Sequence, residues 1–190
     1  MVSHKHNHAR FVQLAILAAA TVVQGSSVRA AVPAVRFEFV VYTNEAGGRA
    51  LADGQYAAAA KTLNASPSML SLDTTTFNTN RCVAFSLTAQ LTAARVACDA
   101  AVKDSQEGSA GVLSLFRSRR AARNDAALAY SNRAVLNWLS GDAAAAARDL
   151  ASARQLAPSA EYVVRNLTAL AERAPSPTEV LAADVPVPHQ

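Results

Sequence analysis

The sequence has few aromatic residues and carries none of the short motifs that mark common enzymes. Aromatics make up 6% of the 190 residues, which argues against a β-sandwich or β-barrel, because such folds need many aromatic and β-branched side chains. No apolar run approaches the ~18 residues of a membrane-spanning helix. There is no Gly-x-Ser-x-Gly elbow, no phosphate-binding Gly-x-x-x-x-Gly-Lys loop and no His-Glu-x-x-His pair. We therefore expect a protein that is not an enzyme and that needs no metal or cofactor.

Proline is absent from residues 68–157, so that long interval is free to form helices. Alanine, the strongest helix former, supplies 44 residues. Together these features predict an all-α protein whose alanine-rich helix faces allow close packing. Residues 174–190 hold four of the seven prolines and show little apolar periodicity, and we expect them to form a disordered tail.

Residues 1–30 have the pattern of a secretory signal peptide. A basic start precedes an apolar stretch over residues 11–23, and small residues lead to Ala30. We expect cleavage after Ala30, with Ala34 as the second choice, and hence an exported, periplasmic protein. An uncleaved membrane anchor is the alternative, which the shortness of the apolar stretch disfavours.

The basic character of the chain is concentrated in that predicted signal. The whole sequence has 18 basic and 14 acidic residues. Cleavage would remove Lys5, Arg10 and Arg29 but no acid, leaving 15 basic against 14 acidic residues. A nearly neutral chain predicts no nucleic-acid partner, because such binding needs a basic surface. Three of the four histidines would leave as well, so a zinc site would lack ligands.

An internal repeat is visible in the second half of the chain. Asn132 and Asn166 lie 34 residues apart, and a Gly-Asp pair, an alanine run and a proline lie between them. The residues that carry the pattern are Tyr130, Asn132, Ala134, Gly141, Ala146, Leu150, Ala153 and Pro158. In these positions the sequence resembles the tetratricopeptide repeat family, of the type found in exported bacterial proteins. The resemblance implies helical hairpins that stack into a short solenoid.

Weaker copies of the pattern extend the resemblance upstream, where Asn80 and Gly54 occupy equivalent places. It departs from the family at Arg133, Asn137 and Gln106, where an aliphatic residue, an aromatic residue and a proline are usual. The predicted organisation is an extended lead-in at 31–39 and a helical domain at 40–173, with units at about 40–73, 74–108 and 127–160, an insertion at 109–126 and a capping helix at 161–173.

Residues 35–41 alternate well enough to form a short strand, but the sequence offers no partner strand. We therefore expect an extended lead-in in which Phe37 or Phe39 packs onto the first helix.

Cys82 and Cys98 are the two cysteines of the chain. Under the repeat alignment they lie on either side of the turn near residues 89–90, opposite each other on antiparallel helices. In an exported protein this placement predicts a disulfide that staples the hairpin. A redox pair or a metal site is the alternative, which the lack of a Cys-x-x-Cys spacing disfavours.

The resemblance implies a concave groove lined by the first helix of each hairpin. Its candidate peptide-binding residues are Asn80, Asn132, Val135, Trp138, Arg165 and Asn166. In the family, such asparagines hold an extended peptide, since an amide donates and accepts at once. The alternative is structural: the asparagines bond neighbouring helices and the tryptophan fills the core.

The predicted insertion carries a second candidate site. Arg117, Arg119, Arg120 and Arg123 place four guanidinium groups within seven residues and form an anion-binding candidate. The alternative is that they form the solvated early turn of a long helix.

These observations predict a non-catalytic protein-interaction or scaffolding module of the cell envelope, with a protein or peptide partner in the groove. A small hydrolase-like envelope enzyme without a recognisable motif is one alternative. Another is an assembly subunit whose groove is filled by its own tail or by a sister chain.

Overall fold

The computed structural model describes residues 9–13, 36–65, 74–107 and 118–173. These parts of the chain are mostly helical, which confirms the predicted all-α class apart from one two-stranded ribbon. The elements are β1 (Ala9–Gln13), β2 (Glu38–Tyr42), α1 (Gly48–Ala52), α2 (Tyr56–Ala65), α3 (Thr74–Leu87), α4 (Leu91–Glu107), α5 (Arg119–Leu139), α6 (Ala143–Leu156) and α7 (Glu161–Arg173). None of the described helices combines the length and apolar character needed to cross a membrane.

Three helix ends share one turn geometry. Gly54, Ala89 and Gly141 follow α1, α3 and α5 and adopt left-handed φ values of 76°, 57° and 82°. At each end, the N–H of the next residue donates to a carbonyl five residues earlier, as in Gln90 to Phe85. This hydrogen bond satisfies a helix-end carbonyl and reverses the chain. The next helix then starts at once, and at α6 the Asp142 carboxylate accepts from the N–H of Ala145 at 2.8 Å.

The turns make hairpins of α3 with α4 and of α5 with α6, and α4 packs on α5. A disulfide joins Cys82 on α3 to Cys98 on α4, which confirms the predicted pairing. A loop of this length stabilises the fold by about 3 kcal/mol in the chain-entropy model. The core between the helices is rich in small side chains, with Ala94, Ala97 and Ala146 almost fully buried. The stacking of these hairpins as a tetratricopeptide-like solenoid stays a prediction.

Strand β2 corrects the expectation of an unpaired lead-in. It pairs antiparallel with β1, with Ala9 opposite Tyr42 and Gln13 opposite Glu38. Sequence reasoning missed this partner because residues 9–13 lie inside the predicted signal peptide. The ring of Phe37 packs against Trp138 of α5, and Phe37 and Phe39 belong to the same core cluster as Leu51 of α1.

Residues 119–126, assigned from sequence to an insertion, form the first turns of α5. The Ser118 hydroxyl caps this helix by accepting from the N–H of Ala121 at 3.2 Å. The rest of the predicted signal at 1–30, residues 109–117 of the predicted insertion and the tail at 174–190 lie outside the described residues.

Candidate functional site

Three buried asparagines hold β2 by its backbone. In each, the amide oxygen accepts a backbone N–H and the amide nitrogen donates to the carbonyl of the same residue. The pairs are Asn80 with Tyr42 (2.9 and 2.9 Å), Asn132 with Val40 (2.9 and 2.8 Å) and Asn166 with Glu38 (2.7 and 2.9 Å). We call this set the asparagine ladder. It lies on α3, α5 and α7, the helices that sequence reasoning chose for the groove.

The hydrogen bonds of the ladder go to backbone N–H and C=O groups of β2, so they do not depend on which side chains the strand carries. In a strand, the N–H and C=O of alternate residues face the same edge, and the bonded residues 38, 40 and 42 are alternate positions of β2. Each asparagine is fully buried, so its two bonds are not exchanged with water. The sequence predicted these amides as holders of an extended segment, and the segment they hold is part of the chain itself.

The apolar groove candidates pack against the same strand. Trp138 lies with its ring centroid 5.2 Å from that of Phe37. Val135 is buried in the main core, together with Phe39 and Val41 of β2. Both candidates therefore contribute to the core, which for Trp138 is the structural alternative given above.

Arg165, another groove candidate, approaches the carboxylate of Glu38 on β2. Its Nη1 lies 3.6 Å from Oε2 of Glu38, and its Nη2 donates to Glu161. Both Glu38 oxygens are buried without a hydrogen-bond partner. Burial raises the pKa of Glu38 above its usual value, Arg165 opposes this effect, and Glu161 adds to it. The pKa of Arg165 is raised, chiefly by its bond to Glu161.

The anion-binding candidates lie at the start of α5. Arg119, Arg120 and Arg123 line an open cleft of about 910 Å³, together with Tyr42 and residues 156–160 and 162. Arg123 donates from Nη2 to the carbonyl of Gln155 at 3.2 Å. Arg117 lies outside the described residues. The described arginines lie in the first turns of the long helix α5, as the alternative interpretation expected. The cleft that they line was not predicted from the sequence.

The sequence did not predict the close approach of α1 to the end of β2. A Cβ atom on Gly48 would lie 1.9 Å from the carbonyl oxygen of Tyr42, so α1 packs tightly against the end of β2. The Gly-Gly pair at 47–48 was the available signal, because close backbone approach favours glycine.

No family model, curated protein or solved structure matches this chain. The tetratricopeptide resemblance therefore stays a prediction from the sequence pattern. In the described ranges, no three His, Cys, Asp or Glu side chains come together as a set of metal ligands.

Proposed function

We propose that this chain is a non-catalytic protein-interaction module of the cell envelope that binds an extended segment of a partner. The observation that carries the proposal is the asparagine ladder, which fixes three alternate residues of β2 through paired backbone hydrogen bonds. A strand fixed on one edge offers its other edge for pairing.

A partner segment does not replace β2 in this proposal. Phe39 and Val41 are fully buried, and exposing each would cost about 1.5–3 kcal/mol. Removing β2 would also take from each buried amide of the ladder the backbone groups that it binds. The short link from Tyr42 to Gly48 ties the strand to α1. The strand is therefore an integral part of the fold.

The outer edge of β2 is the surface to which a partner segment would add. The backbone groups of residues 39 and 41 face away from the ladder, because they alternate with those that the asparagines hold. In the full chain β1 pairs with this edge. Residues 9–13 belong to the predicted signal peptide, and its cleavage after Ala30 would leave the edge open to an extended segment from outside. The envelope location rests on that signal prediction.

The test is peptide binding to protein recovered from the envelope, with its N-terminus determined by mass spectrometry. A labelled peptide carrying the sequence of β1 is titrated and its fluorescence anisotropy is followed. N-methylation at the position of Arg10 or Val12 removes a donor that faces β2, since these residues lie opposite Val41 and Phe39. N-methylation at the position of Phe11 is the matched control, because its partner Val40 bonds to Asn132 instead.

We expect the first modification to abolish binding and the control modification to leave binding intact. Equal binding of both modified peptides, or no binding of the parent peptide, would contradict pairing at this edge.

A further inference from the structure

Glu38 is a buried carboxylate on the strand whose outer edge the proposed function uses. With that edge paired, as in the full chain, its side chain is 2% exposed. Neither of its carboxylate oxygens accepts a hydrogen bond in the described parts of the chain. Buried polar groups nearly always have such partners, because an unsatisfied group loses its hydration without compensation. Two acceptor oxygens therefore lie at one end of the pairing edge without a donor.

Arg165 does not supply the missing donor. Its Nη1 lies 3.6 Å from Oε2 of Glu38, beyond hydrogen-bond distance, and its Nη2 donates to Glu161 in the first turn of α7. Burial raises the pKa of Glu38, Arg165 lowers it and Glu161 raises it further. One guanidinium thus serves two carboxylates, which leaves one negative charge uncompensated when both acids are ionised.

The register of pairing decides which residue of an added segment would lie beside Glu38. In the full chain the residue opposite Glu38 is Gln13. The N–H and C=O of Glu38 bond to Asn166, so they point away from the outer edge. At such a position the two opposite side chains share one face and their Cβ atoms are about 4.5–5.5 Å apart. A long side chain at the position of Gln13 therefore has the reach to contact the carboxylate.

We propose that Glu38 selects a partner segment with a lysine or arginine at the position opposite it. This inference rests on the proposed function, and it specifies the partner as an extended segment with a basic residue where β1 has Gln13. A cationic group there would donate to the Glu38 oxygens and compensate the charge that Arg165 leaves. Glutamine carries no charge, so a basic segment would bind more tightly than a free peptide with the sequence of β1.

The test compares three peptides with the sequence of residues 9–15: one unchanged, one with Gln13→Lys and one with Leu14→Lys. The two lysine peptides have the same net charge. Consecutive residues of a strand face opposite sides, so lysine shares a face with Glu38 at position 13 and not at position 14. Each peptide is titrated against protein recovered from the envelope. We expect Gln13→Lys to tighten binding roughly tenfold and Leu14→Lys to give no gain.

Glu38→Gln tests the assignment to this carboxylate, because it removes the charge and keeps the shape of the side chain. We expect the variant to bind the unchanged peptide and to lose the preference for the Gln13→Lys peptide. Glu107→Gln is the matched control, since it removes the same charge from a side chain that is 67% exposed at the end of α4. This control should retain the preference.

Protonation of Glu38 provides a second test on the unsubstituted protein. The preference should be present at neutral pH and shrink as the pH falls through the pKa of Glu38, because a protonated carboxyl has no charge to attract lysine. The same interaction should lower that pKa in the complex. The carboxyl carbon resonance of Glu38 should therefore titrate at lower pH with the Gln13→Lys peptide bound than with the unchanged peptide bound.

The outcomes separate the two proposals. If none of the peptides binds, the proposed function fails. If the unchanged and Gln13→Lys peptides bind equally well, pairing at the edge stands and the assignment to Glu38 is overturned. An equal gain from Leu14→Lys, or a lysine preference that survives in Glu38→Gln, would also overturn it, since the attraction would then come from the overall charge of the peptide.

Discussion

Asn132 of α5 binds Val40 of β2 through both ends of its amide, accepting from the N–H at 2.9 Å and donating to the C=O at 2.8 Å. Both residues are fully buried, and 92 positions of sequence separate them. The asparagine thus takes the place that a neighbouring strand would occupy in a sheet. This contact joins the extended N-terminal segment to the helices.

Replacing Asn132 by alanine is expected to destabilise the protein by about 2–5 kcal/mol, because the buried N–H and C=O of Val40 would both lose their partner. The matched control is Asn124→Ala, which changes an exposed asparagine on the same helix and should alter stability by less than about 0.5 kcal/mol. Denaturant unfolding measures the two effects. Amide hydrogen exchange at Val40 should accelerate only in the first variant. Equal unfolding midpoints for the two variants would show that the ladder does not hold β2.

Glu38 should make stability depend on pH. Its pKa is raised in the folded state, chiefly by burial, so the folded protein binds more protons than the unfolded chain at this group. Stability contributed by the protonated carboxyl is therefore present below the ordinary glutamate pKa of 4.5 and falls as the pH rises through the raised pKa of the folded state.

Glu38→Gln should remove this dependence and become the more stable form at neutral pH, by on the order of 1 kcal/mol. Urea unfolding at pH 4 and pH 7 measures the change. Glu107→Gln, at a site where the side chain is 67% exposed, is the control, and we expect its difference from wild type to be the same at both pH values. A Glu38→Gln advantage that shrinks as the pH rises would contradict the assigned direction of the pKa shift.

Strand β2 is held by contacts that lie far apart in the sequence, whereas the helical hairpins are not. Spacing and turn residues predicted the helical hairpins, the disulfide and the three asparagines, because each depends on contacts within or between adjacent units. The occupant of the asparagine ladder was not predicted. It comes from the N-terminal side, 38 to 128 positions from its asparagines, and no periodicity records so distant a contact. The alternative of a self-filled groove names the chain's own tail or a sister chain as the occupant, and the ladder instead holds β2.

Two departures from the repeat pattern belong to one polar network. Arg133 donates from Nε and Nη2 to the two oxygens of Asp149 at 2.9 and 2.8 Å, and Asn137 donates to the same carboxylate at 3.0 Å. The bond to Asp149 is the largest cause of the raised pKa of Arg133. Arg133 and Asn137 each differ from the residue usual at that position of the repeat. Both lie on α5, and both donate to the same carboxylate on α6.

Asp149→Ala is expected to cost about 3–5 kcal/mol, because it leaves a largely buried guanidinium without its main partner. Asp99 provides a matched control, since it binds Nη1 of the same arginine at 3.0 Å but is 57% exposed. Asp99→Ala should cost no more than about 1 kcal/mol. Thermal and denaturant unfolding of both variants tests the difference. Similar losses from the two substitutions would mean that burial does not set the strength of this network.

The three similar turns allow a two-way test of backbone strain. Ala89 adopts a left-handed φ of 57°, whereas the equivalent position after α5 is Gly141. A Cβ atom is disfavoured in this conformation, and glycine is not. Ala89→Gly should therefore stabilise the protein by about 0.5–1 kcal/mol, and Gly141→Ala should destabilise it by a similar amount.

A Cβ on Gly141 would meet no atom within 4 Å, so its substitution tests conformation without a steric clash. Unfolding free energies of the two single variants and of the double variant measure the effects, which should nearly cancel in the double variant because the turns lie in different hairpins. A loss of stability in Ala89→Gly would show that the greater freedom of glycine in the unfolded chain outweighs the strain at this turn.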